Sequence, residues 1–548
     1  MGEHRVVAAL AAMSLLGSAL RSAAQQNPAD TTASPDTPEA PAAETPLSPS
    51  PPPAEAAPPP ADPPGATPPQ PAAIRPELPG EAAAASSRGR PDPDAPAAAT
   101  PPPVAQSRQD GFSFGSYGRV VAATDLRGRP GRDADIVAHG SRLDESSYVE
   151  LTLRRDDHWQ KTGASTGVVT TLAVAHPIFH HDGVFDASIA LRNLYLEVGD
   201  LGAKGLSLWA GSRMYRGDDI YLLDWWPLDN LNTLGGGVQY AVDERTTAAL
   251  QAGLSRPQGL FFTQSVERPS PFNQMGVASV EVLSRQKFIG SARAAHVIPL
   301  PGRAGLKGVA YGELHTLARG QRQAEPNVPD VYQRLPADSG YVLGAEIGAY
   351  AGERDTHVNL FVRYARGLAA YGELATPVQL AADGTTSGAR ELVVALGGNW
   401  ERGPFGVMVA GYVRSFRDAS PELDLHDVDE GIVMARPHVF FGELGGLAVE
   451  ASYQAQQRGV FSTPWAPPGS LDAPEAPHTA SLVRFGVSPF VTPAGRGDLS
   501  RPVVRLIWAL TLRDEGARGL YPEDDVFGLR ETEHFLGLGA EWWFNTPS

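Results

Sequence analysis

The chain has 548 residues, a formal net charge of −17 at pH 7 and no cysteine. Proteins that bind nucleic acid need a basic face, so this acidic balance excludes nucleic acid as the expected partner. Without cysteine the fold has no disulfides, and its stability must come from packing and hydrogen bonds.

The N-terminal residues have the pattern of a secretory signal peptide. Arg5 precedes an apolar run over residues 6–20, and the small residues Ser22, Ala23 and Ala24 follow where a signal peptidase cleaves. The run is too short and wrongly flanked for a membrane-spanning helix. We therefore predict that residues 1–24 are a signal peptide removed on export; the alternative is an uncleaved anchor.

Residues 25–108 are rich in proline and alanine. Half of the chain's 50 prolines lie between Pro28 and Pro103, and large apolar residues are nearly missing. Such a segment cannot bury enough apolar surface to offset the entropy of ordering it. We predict a disordered, partly polyproline spacer in the periplasm. It is either a tether that binds peptidoglycan or a passive linker.

Residues 109–548 consist of short segments in which apolar and polar residues alternate. In SSYVELTLR, Leu151 and Leu153 fall on one face, and Glu150 and Arg154 fall on the other. This period of two is typical of half-buried antiparallel strands. Nineteen segments have the pattern: 111–124, 145–155, 166–175, 186–198, 203–213, 235–242, 245–254, 275–283, 287–299, 305–317, 341–350, 356–366, 388–400, 404–416, 432–441, 446–457, 481–489, 501–512 and 533–544.

Three features favour a membrane barrel over the alternative, a large soluble all-β protein. The polar faces keep charged residues, Tyr and Trp recur near segment ends, and short connections such as 241–246 alternate with long ones such as 320–340. We predict an all-β fold: a transmembrane antiparallel β-barrel embedded in the lipid of the bacterial outer membrane. By alternation, Trp508, Trp542 and Tyr453 face the lipid and Trp543 faces the interior.

The number of strands predicts what the barrel does. Single-chain bacterial barrels have even numbers of strands, so we expect about 18, with one of the nineteen segments outside the wall. A barrel of that size encloses an aqueous lumen. The geometry therefore predicts a channel rather than an enzyme, with no cofactor.

Several of these segments resemble a known family. FSFGSYGRVV, RLDESSYVELTL, LRNLYLEV and LSLWAGSRMYRGDDIYLLDWW are similar to strands of the maltoporin (sugar porin) family, as are LSRPVVRL and the closing GAEWWF. The resemblance spans residues 111–548 and is densest before Arg256. It implies a homotrimer of 18-stranded barrels, each narrowed by an inward-folded constriction loop that the chain enters within residues 206–226.

The resemblance also implies which residues contact sugar. Apolar C–H faces of a pyranose stack on aromatic rings, while its hydroxyls exchange hydrogen bonds with flanking charged groups. The implied aromatic rail consists of Tyr117, Tyr148, Trp226 and Trp543, with Trp226 narrowing the pore. The implied polar track consists of Arg119, Arg142, Glu150, Arg192, Asp224 and Asp229.

The chain departs from the family pattern at several positions. Leu499 stands where maltoporin has a rail tryptophan, and Gly217 stands where it has a track arginine. Phe185 is the counterpart of a loop aromatic that reaches a neighbouring subunit. Phe361 and Phe416 are the candidates for the remaining rail phenylalanine. Family chains usually end on an aromatic that the assembly machinery reads, whereas here residues 545–548 follow the last one.

Within the constriction loop, we expect residues 235–237, a glycine triplet, to turn the chain back into the wall through backbone angles that other residues resist.

Three further motifs carry weaker signals. Ser113 lies in GFSFG, a nucleophile-elbow pattern, but no helix pattern follows, so we predict a strand without catalysis. His176, His180, His181 and Asp182 offer zinc ligands in a loop where histidines are usually solvated. Residues 424–431 (DLHDVDEG) offer calcium ligands, or form an acidic exposed loop. We predict no metal at either place.

Three functions remain open at this stage. The first is a channel for facilitated diffusion of carbohydrates, with sugar solutes as cargo. The second is a general or anion-accepting porin, which the residues at 217 and 499 favour. The third is a structural barrel that the spacer anchors to the cell wall.

Overall fold

The computed structural model describes residues 110–175, 179, 183, 187–270, 275–325, 328, 331–352, 356–421, 426–460, 477–522, 525–526 and 528–545. The predicted signal peptide and spacer lie outside the described residues. The same holds for His176, His180, His181, Asp182 and Phe185.

The described body is almost entirely sheet. In chain order its strands are β1 (Gly111–Thr124), β2 (Tyr148–Trp159), β3 (Ala164–Ala175), β4 (Ser188–Gly199), β5 (Leu206–Ser212), β6 (Tyr215–Arg216), β7 (Asn230–Leu231), β8 (Leu234–Ala241), β9 (Thr246–Ser255), β10 (Thr263–Pro269), β11 (Val277–Ser284), β12 (Lys287–Leu300), β13 (Ala304–Leu317), β14 (Gly320–Gln323), β15 (Tyr332–Leu335), β16 (Asp338–Tyr350), β17 (His357–Gly367), β18 (Arg390–Arg402), β19 (Phe405–Arg417), β20 (Val428–Phe440), β21 (Gly445–Val460), β22 (Pro477–Val491), β23 (Val503–Arg513) and β24 (Thr532–Phe544).

Helices are few and short among the described residues. They are three 3-10 turns at Arg142–Asp144, Tyr221–Leu223 and Leu368–Tyr371, and an α-helix at Glu515–Arg518. None of the helices that the structure describes is long and apolar enough to cross a membrane.

Eighteen strands form one closed antiparallel sheet. Each wall strand pairs with the next wall strand, and the ring closes because β1 pairs with both β2 and β24. Tyr117 shows the closure directly, since it lies opposite Glu150 on one side and opposite Trp543 on the other. Closure leaves no sheet edge in the wall, so backbone groups there need no water. The predicted barrel of 18 strands is confirmed.

The surplus segment is 275–283. It forms β11, but β11 pairs with β10 in a two-stranded sheet within the connection 256–286 and does not enter the wall. Two more small sheets, β6 with β7 and β14 with β15, also lie within long connections. Alternation cannot distinguish such a hairpin from a wall strand, because it reports a local residue pattern and not the strand with which a segment pairs.

The connections differ between the two ends of the barrel. Those at the end where β1 begins and β24 ends are mostly short, as in residues 242–245, 301–303 and 403–404, whereas the other end carries connections such as 125–147 and 368–389. This asymmetry assigns the short-turn end to the periplasmic side of an outer-membrane barrel. Residues 492–502 are the long exception among the short turns.

The two faces of the wall have opposite character. Leu151 and Leu153 point outward and are 41% and 51% exposed, whereas Glu150 and Thr152 between them point inward and are buried. Trp508 is exposed on the outer face and Trp543 is buried inside, as alternation predicts. The apolar outer face suits lipid, and the polar groups are confined to the interior.

The glycine triplet at the end of the constriction loop corrects one expectation. Gly235, Gly236 and Gly237 belong to β8, and none of them has a left-handed φ, so the prediction about backbone angles is wrong. A Cβ on Gly237 would lie 2.5 Å from Nε1 of Trp209, and a Cβ on Gly235 would lie 2.1 Å from the carbonyl oxygen of Ala252. The triplet is needed for close approach between strands.

Candidate functional site

The connection between β5 and β8, residues 213–233, folds into the barrel. The hydroxyl of Tyr221 donates a hydrogen bond of 2.9 Å to Glu541 on β24. Ile220 packs so close to Gly397 on β18 that a Cβ there would lie 3.1 Å away. Asp229 pairs with Arg293 on β12 at 3.1 Å. This loop therefore contacts widely separated parts of the inner wall, and it is the predicted constriction loop.

A second connection, residues 125–147, also folds inward, which the sequence analysis did not foresee. The backbone N–H of Ile136 donates to Oε1 of Gln454 at 2.9 Å, and that of His139 donates to the hydroxyl of Tyr412 at 3.0 Å. These acceptors stand on the inner faces of β21 and β19. The loop is thus tied to the wall through backbone groups, which leave no signal in the residue types of the loop.

The two inward loops meet inside the barrel. The ring of His139 stacks on Trp225 with centroids 4.2 Å apart, and Trp225 contacts Tyr412 at 5.1 Å. Trp225 is therefore the tryptophan that joins the loops to the wall. The guanidinium of Arg216 lies over the neighbouring Trp226, 3.9 Å from its ring centroid.

The predicted polar track forms a network around Asp224. Its carboxylate lies 3.1 Å from Arg119 and 3.8 Å from Arg142. Arg119 also pairs with Glu145 at 2.8 Å, and Arg142 pairs with Glu541 at 3.0 Å. All five side chains are at most one-fifth exposed. Buried charges need such partners, and here Arg119 faces two carboxyl groups and Arg142 faces three, since Glu145 also lies 3.3 Å from Arg142.

Strand register explains why these residues meet. Arg119 on β1 lies opposite Tyr148 on β2 and opposite Glu541 on β24. Tyr117, two residues earlier, lies opposite Glu150 and Trp543. Residues directly opposite on one face have Cβ atoms about 5 Å apart. Six inward side chains on three strands therefore form one patch.

Arg192 reaches this patch through a β-bulge. The register of β3 with β4 shifts between Thr171, opposite Asn193, and Leu172, opposite Leu191, so Arg192 is the extra residue. A bulge redirects a side chain that strict alternation would send to the other face. Arg192 consequently pairs with Glu150 at 2.5 Å and bonds the hydroxyl of Tyr148.

Three of the four predicted rail residues belong to one aromatic row. The rings of Tyr117 and Tyr148 lie 6.1 Å apart, and Trp543 lies 6.4 Å from Tyr221. The guanidinium of Arg142 covers Tyr221 at 4.3 Å, and Arg501 covers Trp543 at 4.5 Å. Tyr221 was missed by the sequence analysis because its position in an irregular loop gives no facing pattern.

Asp229 lies in a different cluster. It pairs with Arg293, accepts a hydrogen bond of 2.7 Å from the backbone N–H of Gly217, and neighbours the pair of Asp218 with Lys307. Burial raises the pKa of Asp229 to about 6. Burial opposes ionisation of Asp218 as well, but Lys307 and Arg293 hold its pKa well below the usual range.

Glu145, the loop carboxyl nearest Arg119, has a strongly raised pKa. Burial, and next the charge of Asp224, raise the pKa of Glu145 to about 8. Arg119 and Arg142 oppose this shift. Because Asp224 already neutralises the pair of arginines in part, Glu145 is the carboxyl that keeps its proton near neutral pH.

The positions that depart from the family pattern are filled in specific ways. A Cβ on Gly217 would lie 2.4 Å from the carboxylate of Asp229, so no larger residue fits this arrangement. Leu499, on the long periplasmic connection 492–502, is buried and lines a small cavity with Ile220 and Met408. Phe361 is buried in the same interior cluster, and Phe416 packs in a separate one.

The rail rings are covered by protein in this conformation. The exposed fractions are 0% for Tyr117, 5% for Tyr148, 5% for Trp226 and 6% for Trp543. Inward loops contribute to this cover: Arg142 contacts Tyr117, Tyr221 contacts Trp543, and Arg216 lies over Trp226. A ring can stack on a solute only when one of its faces is free, so the loops must separate for such contact.

The weaker motifs find plain structural explanations where the structure describes them. Ser113 lies within β1, which continues as a strand, so the turn of a nucleophile elbow is missing there. In the acidic loop, Asp427 and Asp429 pair with Arg417 at 3.5 and 2.8 Å, while residues 424–425 lie outside the described range. The histidine loop also lies outside it.

One three-carboxylate group stands apart from these motifs. Asp133, Asp135 and Asp144 converge on the connection 125–147. The guanidinium of Arg484 lies 3.1 Å from Asp135 and 2.9 Å from Asp144. A cation of the protein thus occupies the place that a metal would need.

Comparison with known proteins identifies one family. The model of the LamB porin family matches residues 112–544. Among curated proteins, no sequence matches the chain. Similar solved structures include OccAB1 of Acinetobacter baumannii (10% identity, TM-score 0.38, covering 79% of this chain and 95% of that one) and OpdL of Pseudomonas aeruginosa (12%, 0.38, 79% and 98%). The outer membrane channel DcaP of Acinetobacter baumannii is another (11%, 0.36, 79% and 98%).

Proposed function

The chain belongs to the LamB porin family, and from this membership we propose that the barrel, a porin of the outer membrane, conducts carbohydrates by facilitated diffusion. The residues that would carry the cargo are the aromatic row and the charged patch beside it. The proposed stacking residues are Tyr117, Tyr148, Trp226 and Trp543; the proposed hydrogen-bonding residues are Arg119, Arg142, Glu150, Arg192, Asp224 and Asp229.

The alternation of rings and ionic groups on one inner surface supports this proposal most. Tyr117, Tyr148 and Trp543 lie on three adjacent strands. Glu150 lies directly opposite Tyr117, and Arg119 lies directly opposite Tyr148. A sugar needs both kinds of contact at once, because it has apolar ring faces and a rim of hydroxyls. An inner surface selective only for small ions would not need the rings.

Transport would follow from competition between sugar hydroxyls and the charged side chains of the patch for the same hydrogen-bonding groups. The charged groups of the patch now satisfy one another, as in the pairs of Asp224 with Arg119 and of Glu150 with Arg192. An entering sugar hydroxyl would replace part of such a bond when the loops separate. Because one hydrogen bond replaces another, the net binding free energy at each site is small. The solute therefore moves between weak neighbouring sites without energy input.

Ion current through the purified full-length protein in a planar bilayer tests the proposal. Oligosaccharides added to one side should reduce the current in a saturable way, since an occupied constriction excludes ions. A panel of neutral oligosaccharides of different linkage would identify the preferred sugar. If none of the panel reduces the current saturably, the carbohydrate proposal fails.

A general or anion-accepting porin is the second candidate, and one observation favours it. Glu541 is shared by three arginines: Arg142 at 3.0 Å, Arg501 at 2.8 Å and Arg505 at 2.5 Å. This local cationic excess attracts anions. Strong anion selectivity with no sugar block would favour this function over the first.

The partner proposals rest on the resemblance and on the N-terminal sequence. We propose a homotrimer, which native mass spectrometry in detergent tests directly. We also propose that residues 1–24 direct export and that residues 25–108 extend into the periplasm and bind peptidoglycan. Deleting 25–108 should then release the barrel from isolated cell wall while its conductance stays unchanged.

A further inference from the structure

Three arginines stand side by side on the outer face of the wall, away from the pore. They are Arg366 on β17, Arg390 on β18 and Arg417 on β19. Arg366 lies directly opposite Arg390, and Arg390 lies directly opposite Arg417. We call these three residues the arginine row.

Alternation along each strand shows that the arginine row faces outward. Arg366 shares its face with the exposed Val362, whereas Ala365 beside it is fully buried. Arg390 shares its face with Leu396 and Trp400, both exposed on the outer surface. The same period of two therefore directs the guanidinium groups toward the lipid side of the wall.

Two members of the row have no counter-charge among the described residues. Arg417 pairs with Asp429 at 2.8 Å and with Asp427 at 3.5 Å. Arg366 and Arg390 form no ion pair with any carboxylate in the part of the chain that the structure describes. Like charges directly opposite each other on one face destabilise a sheet. An anion that contacts both would remove this repulsion.

The height of the row on the wall selects the kind of anion. All three residues lie at the long-loop end, where β17 and β19 end and β18 begins. Arg390 precedes Trp400 of the opposite rim by ten residues, which corresponds to about 25 Å across the membrane at 3.3 Å per residue and a tilt of about 40°. That is the height of the apolar band, so the row stands at the level of the lipid headgroups.

An aromatic pair stands next to the row at the same rim. Tyr341 on β16 lies directly opposite Arg366, and its ring contacts Tyr364 at 6.4 Å. Tyrosines at this level mark the boundary between hydrocarbon and headgroups. The rim thus combines an interfacial aromatic pair with unneutralised guanidinium groups, which bind phosphate through two parallel hydrogen bonds.

We propose that the arginine row binds the phosphate groups of a phosphorylated glycolipid in the outer leaflet of the membrane, with Arg366 and Arg390 as the two principal contacts. A phosphate monoester carries a charge near −2 and three acceptor oxygens, enough for two guanidinium groups. The proposal concerns the lipid-facing surface and does not depend on what the pore conducts.

Binding of diphosphoryl lipid A to the full-length protein in detergent, measured by native mass spectrometry, tests the proposal. The double variant Arg366→Gln/Arg390→Gln should bind about 30-fold more weakly, roughly five-fold for each arginine. The matched control is Arg155→Gln, an outward arginine at the short-turn end that is tied to Asp157. It should bind like the unmodified protein. The affinity of Arg390→Lys should lie between those of the unmodified protein and the double variant, because lysine keeps the charge but not the paired hydrogen bonds.

Parallel arms identify the source of the phosphate. Lipid A without its phosphates, phosphatidylglycerol and inorganic phosphate should each bind at least ten-fold more weakly, on the order expected for losing paired charge-assisted contacts. Equal competition by inorganic phosphate would show a site for soluble anions and overturn the lipid assignment. Equal binding by the double variant, or a change in its oligomeric mass with lipid binding intact, would also overturn it. Heat-modifiable migration in gels verifies that each variant is folded.

Discussion

The phenol of Tyr221 on the constriction loop donates a hydrogen bond of 2.9 Å to Glu541 on β24. The same hydroxyl contacts Arg501, and its ring lies under the guanidinium of Arg142. One side chain of the constriction loop thus contacts both a wall strand and the periplasmic connection 492–502.

Tyr221→Phe removes the hydroxyl and keeps the ring. Loss of one hydrogen bond to a charged group should lower the free energy of unfolding by about 1–2 kcal/mol and loosen the loop. Single-channel recordings should show more current noise than in the unmodified protein. Tyr240→Phe, on the exposed outer face, is the control and should change neither quantity. Identical noise in both variants contradicts a clamping role for this hydroxyl.

Asp224→Asn removes the carboxylate that faces Arg119 and Arg142. The charge of Asp224 also helps to keep the proton on Glu145, so this variant and its control are both made in a Glu145→Gln background, where no second carboxylate can form. The patch then has one negative charge fewer, so anions should permeate more easily, with a rise of about two-fold or more in the ratio of chloride to potassium permeability. Reversal potentials under a salt gradient measure this ratio. Glu244→Gln, an exposed change at a periplasmic turn, is matched in charge and should leave the ratio unaltered. An unaltered ratio in Asp224→Asn would place this carboxylate outside the ion path.

Trp543→Ala tests stacking, with Trp508→Ala as its control on the opposite face of the barrel. An aromatic contact contributes about 1 kcal/mol, so the oligosaccharide concentration for half-block should rise about five-fold in the first variant. The second variant removes a ring of the lipid-facing surface and should leave the block unchanged. Equal effects from both would mean that the ring inside the barrel has no special role in sugar binding.

The pH dependence of conductance follows from two loop carboxyls. Burial raises the pKa of Asp229 to about 6 and that of Glu145 to about 8. A carboxyl whose folded pKa is raised stabilises the packed loops below its unfolded pKa of about 4, and this stability is lost as the pH rises through the folded value. Conductance and cation preference should therefore increase between pH 6 and pH 9.

Glu145→Gln separates the two titrations. The amide cannot ionise, so the upper part of the increase should disappear, while a step near the pKa of Asp229 remains. Recordings at several pH values in the same salt give both curves. A profile of Glu145→Gln that overlays the unmodified one would remove Glu145 from this account.

Gly217→Ala tests the close approach at the second cluster. The new Cβ would lie 2.4 Å from the carboxylate of Asp229, which must then withdraw from Arg293. We expect destabilisation of about 1–3 kcal/mol, typical of overpacking, and a constriction with several conductance levels. Gly308→Ala on β13, where no atom lies within 4 Å of the new Cβ, is the control. A single conductance level like the control's contradicts the tight fit.

The wall was predictable from the sequence because a single physical pattern determines it. Inward charge and outward Leu repeat with a period of two, and this pattern located each wall strand, including the closing one with Trp543 and Glu541. The surplus strand β11 has the same alternation in its sequence, but it pairs with β10 in a loop hairpin, and of its side chains only Leu283 is buried. Periodicity reports a residue pattern and not the strand with which a segment pairs.

The interior was less predictable, for reasons that particular residues show. Arg192 faces inward through a bulge, which breaks the alternation from which its direction would be read. Tyr221 and the loop containing Ile136 are held by contacts distant in the chain, and local residue types do not encode those. Resemblance to a family supplied Arg192, Arg142 and Asp224, and no reasoning from spacing supplied Tyr221.

The pairing of β1 with β24 has a consequence for the order of assembly. Tyr117 meets Trp543 only across this seam, between the first and the last strand of the wall. A wall of seventeen strands that lacks β24 has no β1–β24 seam, and the aromatic row spans that seam. The row is therefore complete only when the first and last strands have paired, so a barrel that fails to close is also a barrel without its proposed binding surface.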